Sequence, residues 1–186
     1  MDYSPVTPID HKIPIKSIGN STTTPRDLVT DEEIKITMTV LCESVAARLR
    51  EQKANCSTVQ ISLRDNALYC YERQGKLDFP PNVCSILQEK AFQLFKKNHL
   101  TGLPIRSIGI RACDLSSVEL WQMSLMPDEI RVQKLSDLEY AIDGIRRRFG
   151  NFSVRRGNTL VDTKLSDLDP KKDHTIHPVA FLNGGT

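Results

Sequence analysis

Apolar and polar positions along this chain follow two different periods, and the places where the period changes outline the fold. After Thr30, residues Ile34, Met38, Leu41, Cys42, Val45 and Leu49 recur at helical spacing, one apolar stripe of an amphipathic helix. Thr30 with Glu33 forms a capping box at its start, and the helix is expected to end near Gln52. Val59, Ile61 and Leu63 then alternate with Thr58, Gln60, Ser62 and Arg64, the period of a half-buried strand. Asp65-Asn66 reads as a tight turn and Ala67 to Gln74 as the returning strand of a hairpin. Beyond Pro80-Pro81, a second helix carries Val83, Ile86, Leu87, Ala91, Leu94 and Phe95 on one face. Gly102 and Pro104 break the chain before Ile105 to Cys113, a strand whose Ile108, Ile110 and Ala112 share a side. Ahead of all these, KSIGNSTTTPRDL at Lys16 to Leu28 permits an extended strand with almost no apolar side for a core.

The order strand, helix, strand, strand, helix, strand predicts an α+β fold, a four-stranded sheet with two helices packed on one face. The expected divisions are an extended leader over residues 1–15, the sheet domain over 16–114, a linker over 115–133, and a C-terminal helix with a partly flexible tail over 134–186. In the last part, Leu138, Ala141, Ile142 and Ile145 are expected to bury one face of a helix over Ser136 to Phe149. Ser153 to Arg156 and Thr159 to Val161 read as strand-like.

Composition removes several classes of function. No apolar run approaches the roughly 20 residues that span a bilayer, and MDYSPVTPID lacks the core of a secretory signal. The expected location is the cytoplasm. Cys42, Cys56, Cys70, Cys84 and Cys113 are widely spaced with no C-x-x-C, so they read as reduced, packed thiols rather than zinc ligands. Asp167, Asp169 and Asp173 fail the calcium-loop pattern, because Lys171 and Lys172 stand where a ligand and a glycine are required. His174 and His177 beside Asp173 are a weak metal pair on a tail. No nucleophile, base and orienting group can be assembled, and no cofactor is expected. Arg146, Arg147 and Arg148 suit the last turn of a helix, where positive charge meets the negative end of the dipole.

The net charge of +2 does not announce a nucleic-acid binder; the placement of the basic residues matters more. The polar positions of the expected strands include Lys16, Ser17, Ser21, Thr23, Arg64, Arg73, Arg106, Ser107 and Arg111, with Lys76 just past the third strand. Guanidinium groups and hydroxyls on a flat sheet suit phosphate oxygens. Composition by itself favours the plainer reading, an ordinary solvated face. Tyr69 and Tyr71 suit cross-strand packing first and base stacking second.

KSIGNSTTTPRDL, this element order and PIRSIGIRACDL at Pro104 to Leu115 together resemble the little finger domain. This is the C-terminal DNA-binding domain of Y-family, UmuC-like translesion DNA polymerases. IDGIRRRFG at Ile142 to Gly150 and IHPVAFL at Ile176 to Leu182 resemble the C-terminal extension of Gram-positive members. The resemblance implies a domain lying along the major groove of primer-template DNA, its first and last strands meeting phosphates. Carried onto this sequence, those contacts are Lys16, Ser17, Gly19, Ser21 and Thr22, with Arg106, Ser107 and Arg111. Arg64 and Arg73 join them from the middle strands.

The resemblance further implies a sliding-clamp peptide of the form Gln-x-Ser/Asp-Leu-Phe. Gln122, Ser124, Leu125 and Met126 stand in its place, with Met126 where the pattern prefers phenylalanine. Such a peptide enters a small polar pocket and an adjoining apolar one; alternatively this linker folds back onto the domain, anchored by Trp121. Gln93-Leu94-Phe95 lies on the stripe of the second helix and reads as packing.

Polymerase chemistry in the family uses two metal ions in a palm domain, whose Ser-Ile-Asp-Glu segment does not occur here. This chain alone is therefore expected to be no enzyme, with magnesium belonging to the palm of the parent protein. The expected function is the non-catalytic DNA-gripping part of a translesion polymerase, acting with the nucleoid in the SOS response and probing the clamp. The alternative is a clamp- or repair-protein interaction module whose DNA contact is incidental, and an independent nuclease comes third.

Overall fold

The computed structural model describes residues 15–79, 81–117 and 127–168, the last stretch without the side chains of 127–129. The elements are β1 (Ser17–Leu28), α1 (Asp31–Glu51), β2 (Ala54–Asp65), β3 (Cys70–Lys76), α2 (Cys84–Asn98), β4 (Ile105–Ser117), α3 (Pro127–Phe149) and the single turn α4 (Thr163–Ser166). The four strands form one antiparallel sheet in the order β1-β4-β2-β3. The expected α+β architecture is the observed one. No described helix is long and apolar enough to cross a membrane.

Directly paired residues of antiparallel strands share a face, so the register fixes which side of the sheet is apolar. Val59, Ile61 and Leu63 of β2 stand opposite Ala112, Ile110 and Ile108 of β4. All of them are buried in one core with Met38, Leu41, Val45 and Leu49 of α1 and Leu87, Ala91 and Phe95 of α2. Both helices therefore cover the same face. Pro25 lies in the edge strand β1, where a missing N–H is tolerated, and the β1–β4 register shifts between Thr23 and Leu28.

The start of α1 carries the predicted capping box, with Glu33 accepting from the Thr30 and Val29 N–H groups at 3.0 and 2.8 Å. These backbone bonds, Thr30 first, and then the Arg26 guanidinium hold the Glu33 carboxyl at a pKa of about 2, below its usual 4.5. A depressed folded pKa means that the stabilisation is complete above pH 4.5 and is lost as pH falls towards 2. After allowance for solvent screening it is worth on the order of 1–2 kcal/mol. Glu33→Gln should flatten the melting temperature across that window; an unchanged acid limb would remove the carboxylate from this role.

Three expectations need correction. The hairpin loop runs from Asn66 to Tyr69, closed by the Asp65 carboxylate accepting from the Tyr69 N–H at 2.9 Å, so β3 begins at Cys70 rather than Ala67. Neither segment expected as a strand after residue 150 is one: Asn151–Ser153 and Gly157–Leu160 are 3-10 turns, and residues 154–156 run between them without strand pairing. The Gly157–Leu160 turn packs on helix α1, where Asn158 reaches the Thr39 hydroxyl at 3.2 Å, and the Asn151–Ser153 turn packs on the end of the helix before it; a helix flank has no free backbone edge to pair with a strand.

The third correction concerns α3. It starts at Pro127, inside the expected linker, and it buries its polar face. Ser136 and Glu139 are buried, whereas Leu138, Ile145 and Phe149 are 56%, 42% and 65% exposed. The cause lies in α1, which presents charge on its outward side, and in α2, whose first turn lacks a cap. Arg50 of α1, buried to 4% exposure, donates to Glu139 and to Asp143 of α3. Arg146 and Arg156 both reach Glu43 of α1, at 3.1 and 2.8 Å. Helix α2 has no side-chain cap of its own at Val83. Its first N–H, that of Cys84, donates instead to the Glu139 carboxylate at 2.9 Å. The described C-terminal region is thus tied to the helix layer, on the far side of the sheet from the open face.

Candidate nucleic-acid interface

The register arranges the uncovered face as four rows running across β1, β4, β2 and β3. They are Thr23, Ser107, Arg64, Cys70; then Ser21, Gly109, Ser62, Glu72; then Gly19, Arg111, Gln60, Gln74; and finally Ser17, Cys113, Thr58, Lys76. Almost every position is a hydroxyl, an amide, a glycine or a charge. The sequence reaches this outcome by alternation, since the residues between these positions, Val59, Ile61 and Leu63 of β2 and Ile108, Ile110 and Ala112 of β4, are core residues.

Two glycines shape the surface. A Cβ on Gly109 would stand 2.6 Å from the Ser62 hydroxyl and 3.2 Å from Ser21 Cβ; one on Gly19 would meet Arg111 Cγ at 3.1 Å. Without those carbons the floor drops to backbone level, leaving a trough of about 420 Å³ bordered by Ser17, Ser21, Gln60, Ser62, Glu72 and Arg111. Close approach of another backbone is what such a glycine floor permits.

Charge on this face differs from charge elsewhere. Arg26, Arg50, Arg146, Arg155 and Arg156 all pair with carboxylates on the helix side or the C-terminal region. Among the described residues, Arg64 and Arg111 pair with none, nor do Lys16 and Lys76. The Arg64 Nε is buried without a hydrogen-bond partner. A buried donor with nothing to donate to is costly; that nitrogen is closed to solvent, so a phosphate contact from Arg64 falls to its outer guanidinium nitrogens.

Of the ten residues expected to meet phosphate, Ser17, Gly19, Ser21, Arg64, Ser107 and Arg111 share this face, with Lys16 just ahead of β1. Ser107 already donates its hydroxyl to the Thr22 carbonyl at 2.9 Å and keeps its acceptor side. Arg106 sits where the β2–β4 register shifts, exposed, with Asp27 at 3.5 Å. Thr22 pairs with Ile108 and so belongs to the helix-side register of the edge strand.

Arg73 is on the wrong side. A turn confined to Asp65-Asn66 would set it opposite Thr58, but the longer loop sets it opposite Ile61, and an odd shift of register exchanges the faces. There it donates to Asn98 of α2 at 3.2 Å and lies over the Tyr71 ring. Tyr71 is also on the helix side, its hydroxyl pushed up to about 12 by burial. Gly109, Gln60, Ser62 and Glu72 are face residues that the expected site does not include. The alternation of β2 and β4 points to the first three; Glu72 needs the true hairpin register.

Burial pushes the thiols of Cys42, Cys56 and Cys84 up, so they remain protonated packing groups. No cluster of His, Cys, Asp or Glu suited to a metal ion occurs among the described residues. The candidate clamp residues Gln122, Ser124, Leu125 and Met126 lie outside the described residues, between the end of β4 and the start of α3.

Residues 15–125 match the impB/mucB/samB family C-terminal domain. The chain is 45% identical over 168 residues to DNA polymerase IV of Acetivibrio thermocellus, which covers 90% of this chain and 42% of that protein. It is 34% identical over 166 residues to DNA polymerase IV 2 of Bacillus subtilis, covering 86% and 39%. DNA polymerase IV 2 of Halalkalibacterium halodurans is 31% identical over 175 residues, with 92% and 42% covered. The chain spans about two fifths of the length of these curated relatives.

Proposed function

Since the chain belongs to the impB/mucB/samB C-terminal domain family, the C-terminal region of Y-family DNA polymerases, we propose that its open sheet face grips duplex or primer-template DNA by the sugar-phosphate backbone. The 186 residues correspond to the C-terminal part of DNA polymerase IV, and the catalytic palm is not among them. What they supply to a translesion polymerase is hold on the template.

The observation that carries this reading is the pair of unneutralised arginines, Arg64 and Arg111, on a hydroxyl-rich face that neither the helices nor the described C-terminal region cover. Hydroxyls and guanidinium groups meet phosphate oxygens without reading bases, so affinity should be blind to sequence and sensitive to salt. With Lys16, Arg64 and Arg111 as the contacts, the logarithm of affinity should fall against the logarithm of salt with a slope of roughly −3. A fluorescence-anisotropy titration of the full chain with labelled duplex tests this. No binding at low salt, or binding indifferent to salt, refutes it.

We further propose that Gln122, Ser124, Leu125 and Met126 engage the sliding clamp as an extended peptide. Support comes from the spacing of the glutamine and the two apolar side chains, and from their position directly after the sheet domain. Replacing Gln122 and Leu125 with alanine should abolish clamp pull-down and leave duplex affinity unchanged. Retained pull-down would return this segment to the role of a linker. A cytoplasmic place with the nucleoid and a part in the response to DNA damage follow from the same reading.

A further inference from the structure

The row Ser21, Gly109, Ser62, Glu72 ends in a carboxylate. Glu72 borders the same trough as Arg111, and it forms no ion pair among the described residues. Its Oε2 accepts from Gln60 Nε2 at 2.6 Å, which holds the acid over the sheet face instead of letting it swing away. Asp114 is different: it lies at the end of the face and is taken up by the Thr58 hydroxyl at 2.6 Å.

A charge on an edge strand often serves to discourage pairing with another chain. On β3 that purpose is met by Arg73 and Lys76, and it does not call for a neighbouring strand to fix an acid against the trough. Next to a site for polyanions, a fixed carboxylate repels the ligand. Repulsive elements of this kind set where a partner lies as well as how tightly it is held.

Building on the DNA-binding reading of this face, we propose that Glu72, fixed by Gln60, is a specificity-determining residue. Its charge confines the phosphate chain to the side formed by β1, β4 and β2, and it holds affinity below what Arg64 and Arg111 alone would give. A polymerase domain must release and re-grip the backbone as the template advances, and a tempered grip serves that need.

The test is Glu72→Gln in the full chain, titrated with a labelled duplex beside the parent, Glu72→Asp and Arg111→Ala. The amide oxygen that Glu72→Gln introduces can still accept from Gln60, so the fold of the row is kept. Glu72→Gln should tighten binding by about threefold to tenfold at low salt, the gain shrinking as salt screens it, while Glu72→Asp binds like the parent. In the Arg111→Ala background the gain should be smaller, because the two charges act on the same phosphate. Unchanged or weaker binding by Glu72→Gln, with Arg111→Ala still weakening it, overturns this inference and leaves the DNA-binding reading standing. If the parent chain itself fails to bind duplex, the DNA-binding reading falls and takes the inference with it.

Discussion

Glu139→Ala is expected to destabilise the folded chain by about 3 kcal/mol in urea titration, the largest effect of any single substitution considered. Glu139 is 6% exposed in its side chain, and three groups depend on it. Arg50 donates to it, Arg156 donates to it at 2.8 Å, and the Cys84 N–H at the head of α2 has no other side-chain cap. Arg50 keeps Asp143 and the Asn82 carbonyl after the change, so its charge is not stranded outright. That limits the loss to the lower part of the range for a broken buried pair. The missing cap of α2 adds roughly 1 kcal/mol within that figure.

The conservative variant separates these contributions. Glu139→Gln retains an oxygen for the Cys84 N–H but removes the charge that answers Arg50 and Arg156, so its effect should be intermediate. Hydrogen exchange should show α3 and the first turn of α2 losing protection in Glu139→Ala while the central strands β2 and β4 keep theirs, because the sheet core contains no residue of α3. A change within about 0.5 kcal/mol of zero would mean that the network adds nothing net, as is known for ion pairs that only repay their own desolvation.

The behaviour of α3 also marks the limit of what the pattern of residues conveys. Alternation along β2 and β4 and the stripes of α1 and α2 are signals of burial against apolar neighbours, and each is legible because the core they join is apolar. Helix α3 docks on a surface that already carries Glu43 and Arg50. Its buried residues are therefore Ser136 and Glu139, while of the apolar positions expected inside, Leu138, Ala141 and Ile145 are exposed and Ile142 is half-buried. Hydrophobic periodicity reads such a helix inside out. The same distinction holds for the open face. Ser21, Arg64, Ser107 and Arg111 are legible by period alone, whereas Arg73 and Glu72 depend on the length of one loop, which Asp65 sets through a side-chain bond to the Tyr69 backbone. Pairing parity is a long-range property, and a one-residue difference in a loop reverses it.

Arg111→Ala and Arg64→Ala are each expected to weaken duplex binding by about tenfold at low salt, the low end of a charge-assisted hydrogen bond. The loss should be the same for unrelated sequences, and each should reduce the salt slope by about one. Arg64→Ala carries a second signature. Its Nε is buried without a partner, so removing it should leave the melting temperature unchanged or raise it. Affinity would then fall while stability does not. Arg106→Ala should have a smaller effect, because Asp27 at 3.5 Å already offsets part of its charge. Arg73→Ala is the decisive comparison. It removes the same charge from the same sheet, but from the face that packs on α2. If it weakened binding as much as Arg111→Ala, net charge rather than the open face would govern the affinity. Equal binding by Arg73→Ala and the parent, against a tenfold loss for Arg111→Ala, would tie the grip on DNA to one side of the sheet.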